Sequence, residues 1–300
     1  MSAAWLMVVA SFLFASMGVC VKLAAARYGA GEIVFYRGLA GAVIIALYAK
    51  SQGGSLRSRV PAMHFWRSLT GVTALCLWFY ALGRLPLATA MTLNYTSSVW
   101  MALFLLGAMT LLRKTRVDPR LVATVLLGFA GVALILRPTI EEKQLWDGLI
   151  GLLSGMISAA AYLQVTTLGR AGEPDYRIVF YFSLGGVAAG ALLTLGVGWH
   201  GHTPEGIALL LAVGVLATVA QLMMTRAYAI GRPLVNASLQ YLGIGFSFLY
   251  GVLLFDDRVT WMALAGMLLI VSAGVAATQL RTRAIAAVRA AASTPSEPSP

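Results

Sequence analysis

Tyr80-Ala81-Leu82-Gly83-Arg84-Leu85-Pro86-Leu87 is echoed later in the chain by Tyr228-Ala229-Ile230-Gly231-Arg232-Pro233-Leu234. Each copy ends one long apolar segment and opens the next. The number of segments between the copies therefore decides the architecture. When it is odd, the two halves enter a bilayer in opposite orientation, and inverted repeats build transporters.

Composition fixes the solvent. The chain is 59% hydrophobic and 11% charged, whereas a soluble domain is about 25% charged. Its mean hydropathy is +0.82. The apolar residues fall in blocks of about 20, enough to cross a hydrocarbon core of about 30 Å. Strands of a β-barrel would be about 10 residues long with alternating polarity, which this pattern does not resemble.

Ten spans are predicted: Ala4–Ala24, Glu32–Ala49, Phe65–Gly83, Leu87–Leu112, Pro119–Arg137, Trp146–Leu168, Ile178–Gly198, Glu205–Ile230, Pro233–Phe255 and Trp261–Leu280. Tyr80 ends the third and Tyr228 the eighth, so five spans separate the copies and the halves are inverted. Ala130-Gly131-Val132-Ala133 in the fifth span matches Ala273-Gly274-Val275-Ala276 in the tenth, and Asn94-Tyr95 in the fourth falls close to Gln240-Tyr241 in the ninth. The expected fold is an all-α integral membrane protein with a 5+5 inverted-topology repeat. Residues 1–139 and 140–281 form the halves, divided at the polar Pro138–Leu145 loop. Residues 282–300 make a cytoplasmic tail that ends in disorder, where Ala/Arg gives way to Ser/Pro. Gly151/Gly155 and Gly186/Gly190 have small-xxx-small spacing and are expected at helix contacts.

Lys and Arg set the orientation. With the N-terminus in the cytoplasm, that side holds fifteen: Lys50, Arg57, Arg59, Arg67, Arg113, Lys114, Arg116, Arg120, Arg170, Arg177, Arg226, Arg232, Arg281, Arg283 and Arg289. The other side holds five: Arg27, Arg84, Arg137, Lys143 and Arg258. Both termini are thus expected in the cytoplasm of a protein in the cell inner membrane. The same distribution explains the net charge of +11 without nucleic acid as a partner. The first segment lacks a basic n-region and a good cleavage site, so it is expected to remain as a span. Cys20 and Cys76 lie in spans and indicate neither a disulfide nor a metal.

Phe35-Tyr36-Arg37-Gly38 in the second span, Tyr80 to Ala90, and Tyr228 to Ala237 carry a resemblance. Together with ten spans in some 300 residues, they resemble the EamA family of the drug/metabolite transporter superfamily. The resemblance covers nearly all of residues 1–281. It implies a carrier whose helices one, three, four, six, eight and nine surround a central cavity.

Polar groups inside a membrane are costly and tend to have a task. Asn94 and Tyr95 in span four, Tyr162 and Gln164 in span six, Gln221 in span eight, and Asn236, Gln240 and Tyr241 in span nine are the cavity candidates. Trp78 and Tyr80 join them from span three. Amides serve both ends of a zwitterion, and aromatic rings stack or bind cations. For each amide, an interhelical hydrogen bond is the alternative. Three charges lie within or at the ends of spans. Lys22 and Glu32 either snorkel to the interface or act in transport. Arg37, roughly 7–8 Å deeper than Glu32 at 1.5 Å per residue, either binds helix-end carbonyls or attracts an anionic group such as a carboxylate.

No span carries a carboxylate or histidine near its midpoint; His64, His200 and His202 sit in or beside loops. Uncoupled transport or exchange is favoured over proton coupling, for which Glu32 is the remaining candidate. No HExxH, G-x-S-x-G or Walker motif occurs, so no enzyme is expected, and neither cofactor nor metal. The partners are a small-molecule substrate and the lipid bilayer. Alternating-access export of amino acids or related metabolites is the leading function. Uptake of a cofactor-like nutrient such as riboflavin or S-adenosylmethionine is the alternative.

Overall fold

The computed structural model describes residues 2–111, 145–231 and 239–257, with positions 123, 126–128, 130–131, 134, 236, 260–262, 264–273, 275–276 and 279. Most of the predicted fifth span, the Pro138–Leu145 boundary except its last residue, and the 282–300 tail lie outside them.

All regular structure among the described residues is helical: α1 (Ala3–Ala24), α2 (Ala30–Ser51), α3 (Pro61–Arg84), α4 (Leu87–Tyr95), α5 (Ser97–Leu111), α6 (Leu145–Arg170), α7 (Asp175–Val197), α8 (Pro204–Ile230), α9 (Leu242–Phe255) and α10 (Leu264–Ala273). Helix starts follow local chemistry. Ser2 accepts from Trp5 N at 3.3 Å, and the Glu32 carboxylate reaches back to Gly29 N at 3.2 Å; each satisfies an orphan N–H of the first turn. Thr203 does the same for Gly206 N, and Pro204 and Pro61 open their helices, where a missing N–H costs nothing.

Five helices, α1, α2, α6, α7 and α8, are long and apolar enough to cross a membrane. The shortest of them has 22 residues, about 33 Å at 1.5 Å per residue. Leu47, Leu192, Leu195, Leu253 and Trp261 point outward and are exposed. Water would not tolerate so apolar an exterior, but lipid does.

The helices pack mainly as α2 on α7, α1 on α8 and α3 on α6. Further contacts join α4 to α6, α9 to α1, and α4 to α9. Glycine brings the backbones together. A Cβ on Gly190 would lie 2.5 Å from Phe35 N, and one on Gly38 would lie 2.7 Å from the Ser183 carbonyl oxygen. One on Gly155 would lie 2.5 Å from Leu93 O, and one on Gly131 would lie 2.7 Å from Gly266 O. Close approach gains dispersion contacts where lipid supplies no hydrophobic drive.

Three predicted spans differ from the helices found. The third begins at Pro61 rather than Phe65, so His64 belongs to α3 and Arg67 lies nearly two turns into it. The fourth is interrupted at Thr96, between α4 and α5. Thr96 Oγ1 donates to Leu93 O at 2.6 Å and Ser98 Oγ to Tyr95 O at 3.1 Å; such back-bonding tightens a turn and bends a helix. The ninth contains a turn at Gln240-Tyr241, where the N–H groups of Gly243 and Ile244 bond three residues back.

Candidate functional site

The antiparallel pairing leaves two polar ends. At one, α2 begins and α7 finishes. Here Glu32, 1% exposed, accepts from His200 N at 2.9 Å and meets its ring Nδ1 at 2.6 Å. Lys22 contacts Asp257 at 3.4 Å and donates to Leu85 O at 3.2 Å, while Asp257 also accepts from Leu87 N. Lys22 and Glu32 are both tied into connections between helices. A cleft of about 690 Å³ opens at this end, with Glu32, Tyr80 and Arg84 on its wall.

The opposite end is fastened by Glu173, in the α6–α7 connection. Its carboxylate accepts from Ser58 Oγ at 3.0 Å and from Arg177 Nη1 at 3.1 Å, and meets His64 Nε2 at 3.0 Å. Arg177 also donates to Ser55 O at 2.8 Å. Burial pushes the Glu173 carboxyl up, but the bonds from His64, Arg177 and Ser58 outweigh it and hold the group below its ordinary range.

Between the ends lies a cavity of about 50 Å³, walled by residues from α1, α2, α3, α4, α6, α7 and α8 and by Gln240. Five of the ten cavity candidates, Trp78, Asn94, Tyr162, Gln221 and Gln240, reach it, and Tyr95 makes a sixth. Asn94 Nδ2 donates to Ser154 Oγ at 3.0 Å and Ser158 Oγ at 3.3 Å, which fixes α4 against α6. Tyr162 stacks on Tyr228 with centroids 5.4 Å apart, and Tyr228 sits 3.5 Å from Gln240 Oε1.

The remaining four candidates lie elsewhere. Tyr80 faces the cleft, with the Arg84 guanidinium 3.8 Å over its ring. Gln164 accepts from Thr70 at 2.8 Å. Asn236 donates to Ala227 O at 2.5 Å, stitching the chain beyond α8 back to that helix. Tyr241 bonds Ser98 across the α4–α5 break.

Arg37 does line the cavity, 4% exposed, and donates to Gln221 Oε1 at 3.4 Å. Beside it stands Arg67, near the start of the predicted third span and counted with the charges of the cytoplasmic side. Arg67 is 3% exposed, nearly two turns into α3, and lines the same cavity, so it is not a surface charge at the bundle end. The bias in Lys and Arg survives its removal. Phe182 of α7 meets both, its ring centroid 5.0 Å from the Arg37 guanidinium carbon and 4.4 Å from that of Arg67.

An apolar-skinned helical bundle with amides, aromatic rings and cations converging on an interior cavity is the construction of a membrane transporter. The EamA-like transporter family model matches residues 1–137. The pseudopaline exporter CntI of Pseudomonas aeruginosa is 30% identical over 280 residues, 92% of this chain and 95% of that one. A riboflavin transporter of Rhizobium johnstonii is 30% identical over 175 residues, 58% of this chain and 56% of that one. One solved crystal structure shares the fold with a TM-score of 0.67 at 20% identity, covering 94% of this chain and 98% of that one. The chain belongs to the EamA-like transporter family. It is a multi-pass membrane transporter of the drug/metabolite type, and its relatives are named as carriers, not enzymes.

Proposed function

We propose that this protein is an inner-membrane secondary carrier that exports amino acids or related small metabolites by alternating access. The observation that carries the reading is the central cavity, in which groups suited to a zwitterion converge from seven helices. Ligand pockets run to about 300–1,000 Å³, and the space of about 50 Å³ found here is smaller than such a cargo needs. Cargo enters when one end of the bundle parts. The name of the Pseudomonas relative, an exporter, supports the direction.

Ten spans in two inverted halves, residues 1–139 and 140–281, supply the mechanism. Exchanging α1 with α6, α2 with α7 and α3 with α8 turns the α1–α8 contact into α6–α3 and returns the α2–α7 contact to itself. Treating α4 and α9 as counterparts likewise turns α4–α6 into α9–α1. A packing scheme that survives this exchange supports a two-fold axis in the membrane plane, about which the halves rock. Both termini are then cytoplasmic.

Counterflow in proteoliposomes loaded with a panel of amino acids, without an ion gradient, tests the reading. We expect uptake of labelled substrate by the wild type. In Asn94→Ala and Gln240→Ala flux should fall about tenfold, the scale of one lost polar contact, with normal membrane insertion. Full flux in both variants would move the site elsewhere. Riboflavin belongs in the panel as the second reading, supported by the riboflavin transporter relatives and the aromatic Trp78 and Phe182 faces; uptake of riboflavin alone would replace the first.

A further inference from the structure

Charge is unbalanced in the cavity. Arg37 and Arg67 are both buried, and among the described residues neither takes part in an ion pair. No carboxylate is among the residues lining the cavity. Nε of Arg37, and Nε and Nη1 of Arg67, are buried without a hydrogen-bond partner. Arg37 has one long bond to an uncharged amide, and both cations share a single Phe182 ring. Their distances to that ring keep the two charges closer than the Debye length of about 10 Å at 0.1 M salt. A buried cation without an anion is strongly unfavourable, and two side by side are worse. One aromatic face recovers only part of that.

The positioning of Arg67 is also built in. Near the start of α3, its long side chain could extend toward the bundle end, as arginines near span ends do. It bends inward instead, across Gly71 one turn on, where any Cβ would collide with its Nη1. The glycine leaves room for the guanidinium to face the cavity. Its Nη1 and Nε remain unsatisfied there, donors on two different sides of the guanidinium still open to an acceptor.

We propose, resting on the carrier reading above, that the cargo carries two anionic groups, and that Arg37 and Arg67 each receive one. A single carboxylate would leave one buried cation uncompensated, whereas a dianion neutralises both and supplies acceptors for the orphaned N–H groups. Within the metabolites related to amino acids, this selects dicarboxylates over their amides and over neutral zwitterions. The arginines are binding residues for that cargo, and Gly71 is a positioning residue for Arg67.

The test pairs near-isosteres that differ by one charge: glutamate with glutamine, aspartate with asparagine, and succinate with succinamate. Counterflow and the melting temperature of the purified carrier are read for each. We expect at least about tenfold preference for the dicarboxylate member, the discrimination a charge-assisted contact gives, and a higher melting temperature with dicarboxylate present. Arg37→Gln and Arg67→Gln should erase the preference, and Arg67→Lys should retain part of it. Gly71→Ala, whose Cβ meets the flexible end of Arg67 and, at 3.0 Å, the Phe182 ring, should weaken the preference while the protein still folds. Without substrate, Arg67→Gln should melt no lower than wild type, since it relieves an unpaired buried charge; a purely structural arginine would destabilise on loss. Amides carried as fast as acids would overturn the inference and leave the carrier reading standing. Arginine variants that melt lower with unchanged preference would overturn it too. Silence for every pair in both flux and melting temperature would overturn both.

Discussion

At Gly190 the backbone of α7 meets that of α2, and a methyl group there would press on Phe35 N and Gly31 O at 2.5 and 2.7 Å. Backbone cannot swing aside as a side chain can. Gly190→Ala should therefore cost about 1–3 kcal/mol, as overpacking does, and lower the melting temperature. Gly196 lies in the same helix with nothing within 4 Å of its would-be Cβ. Its alanine variant should stay within about 1 kcal/mol of wild type. Equal melting temperatures for the two would discard the close-approach account of the α2–α7 contact. The glycine spacing was legible in the sequence because it recurs every four residues. Arg37 was legible because it interrupts an apolar run. Arg67 was not, since a cation two residues after the predicted start of the third span at Phe65 looks like any span-end charge until the helix is seen to begin at Pro61. Two signals pointed inward: Gly71 one turn after Arg67, and the repeat of Ile33-Val34-Phe35-Tyr36 in Ile178-Val179-Phe180-Tyr181. Aligning the latter sets Arg37 against Phe182, the ring on which both arginines lie.

Among the elements, helix existence followed from hydropathy, while helix continuity did not. Thr96 and Gln240-Tyr241 mark breaks without Pro or Gly, and hydroxyl bonds to nearby carbonyls, which produce the Thr96 break, leave no imprint on hydropathy. The connections were the least readable part, because Glu173 acquires its role only when α3, α6 and α7 meet. That role is testable by pH. The folded protein holds the Glu173 carboxyl below its ordinary value of 4.5. Its contribution is therefore complete above that value and is lost as pH falls through the lower, folded one. Melting temperature should drop over that acid range in the wild type. Glu173→Gln should melt lower near neutrality, by about 1–3 kcal/mol for the charge-assisted bonds, and respond less to acid. A variant as acid-sensitive as wild type would assign the acid response to another group.

Over the whole molecule, the two ends are unlike in this conformation. The Glu32 end holds a cleft of about 690 Å³, whereas at the Glu173 end the α2–α3 loop is bonded through Ser55 and Ser58 to the α6–α7 connection. A carrier that alternates must undo the second arrangement in each cycle, because cargo that reaches the central cavity from one end must leave by the other. Covalent linkage should therefore stop transport. Ser58 Oγ and Glu173 Oε1 are 3.0 Å apart, so cysteines at both positions lie within reach of a short, cleavable bis-thiol reagent once Cys20 and Cys76 are replaced by alanine. The unlinked variant is the reference, since it has already lost the native bonds. We expect linkage to reduce counterflow by more than about tenfold, as locking a gating step does, and cleavage to restore it. Undiminished flux through the linked protein would mean that the Glu173 end never opens. The rocking of two halves about the cavity would then give way to a path that begins and ends at the Glu32 cleft, which a bilayer-crossing carrier cannot use.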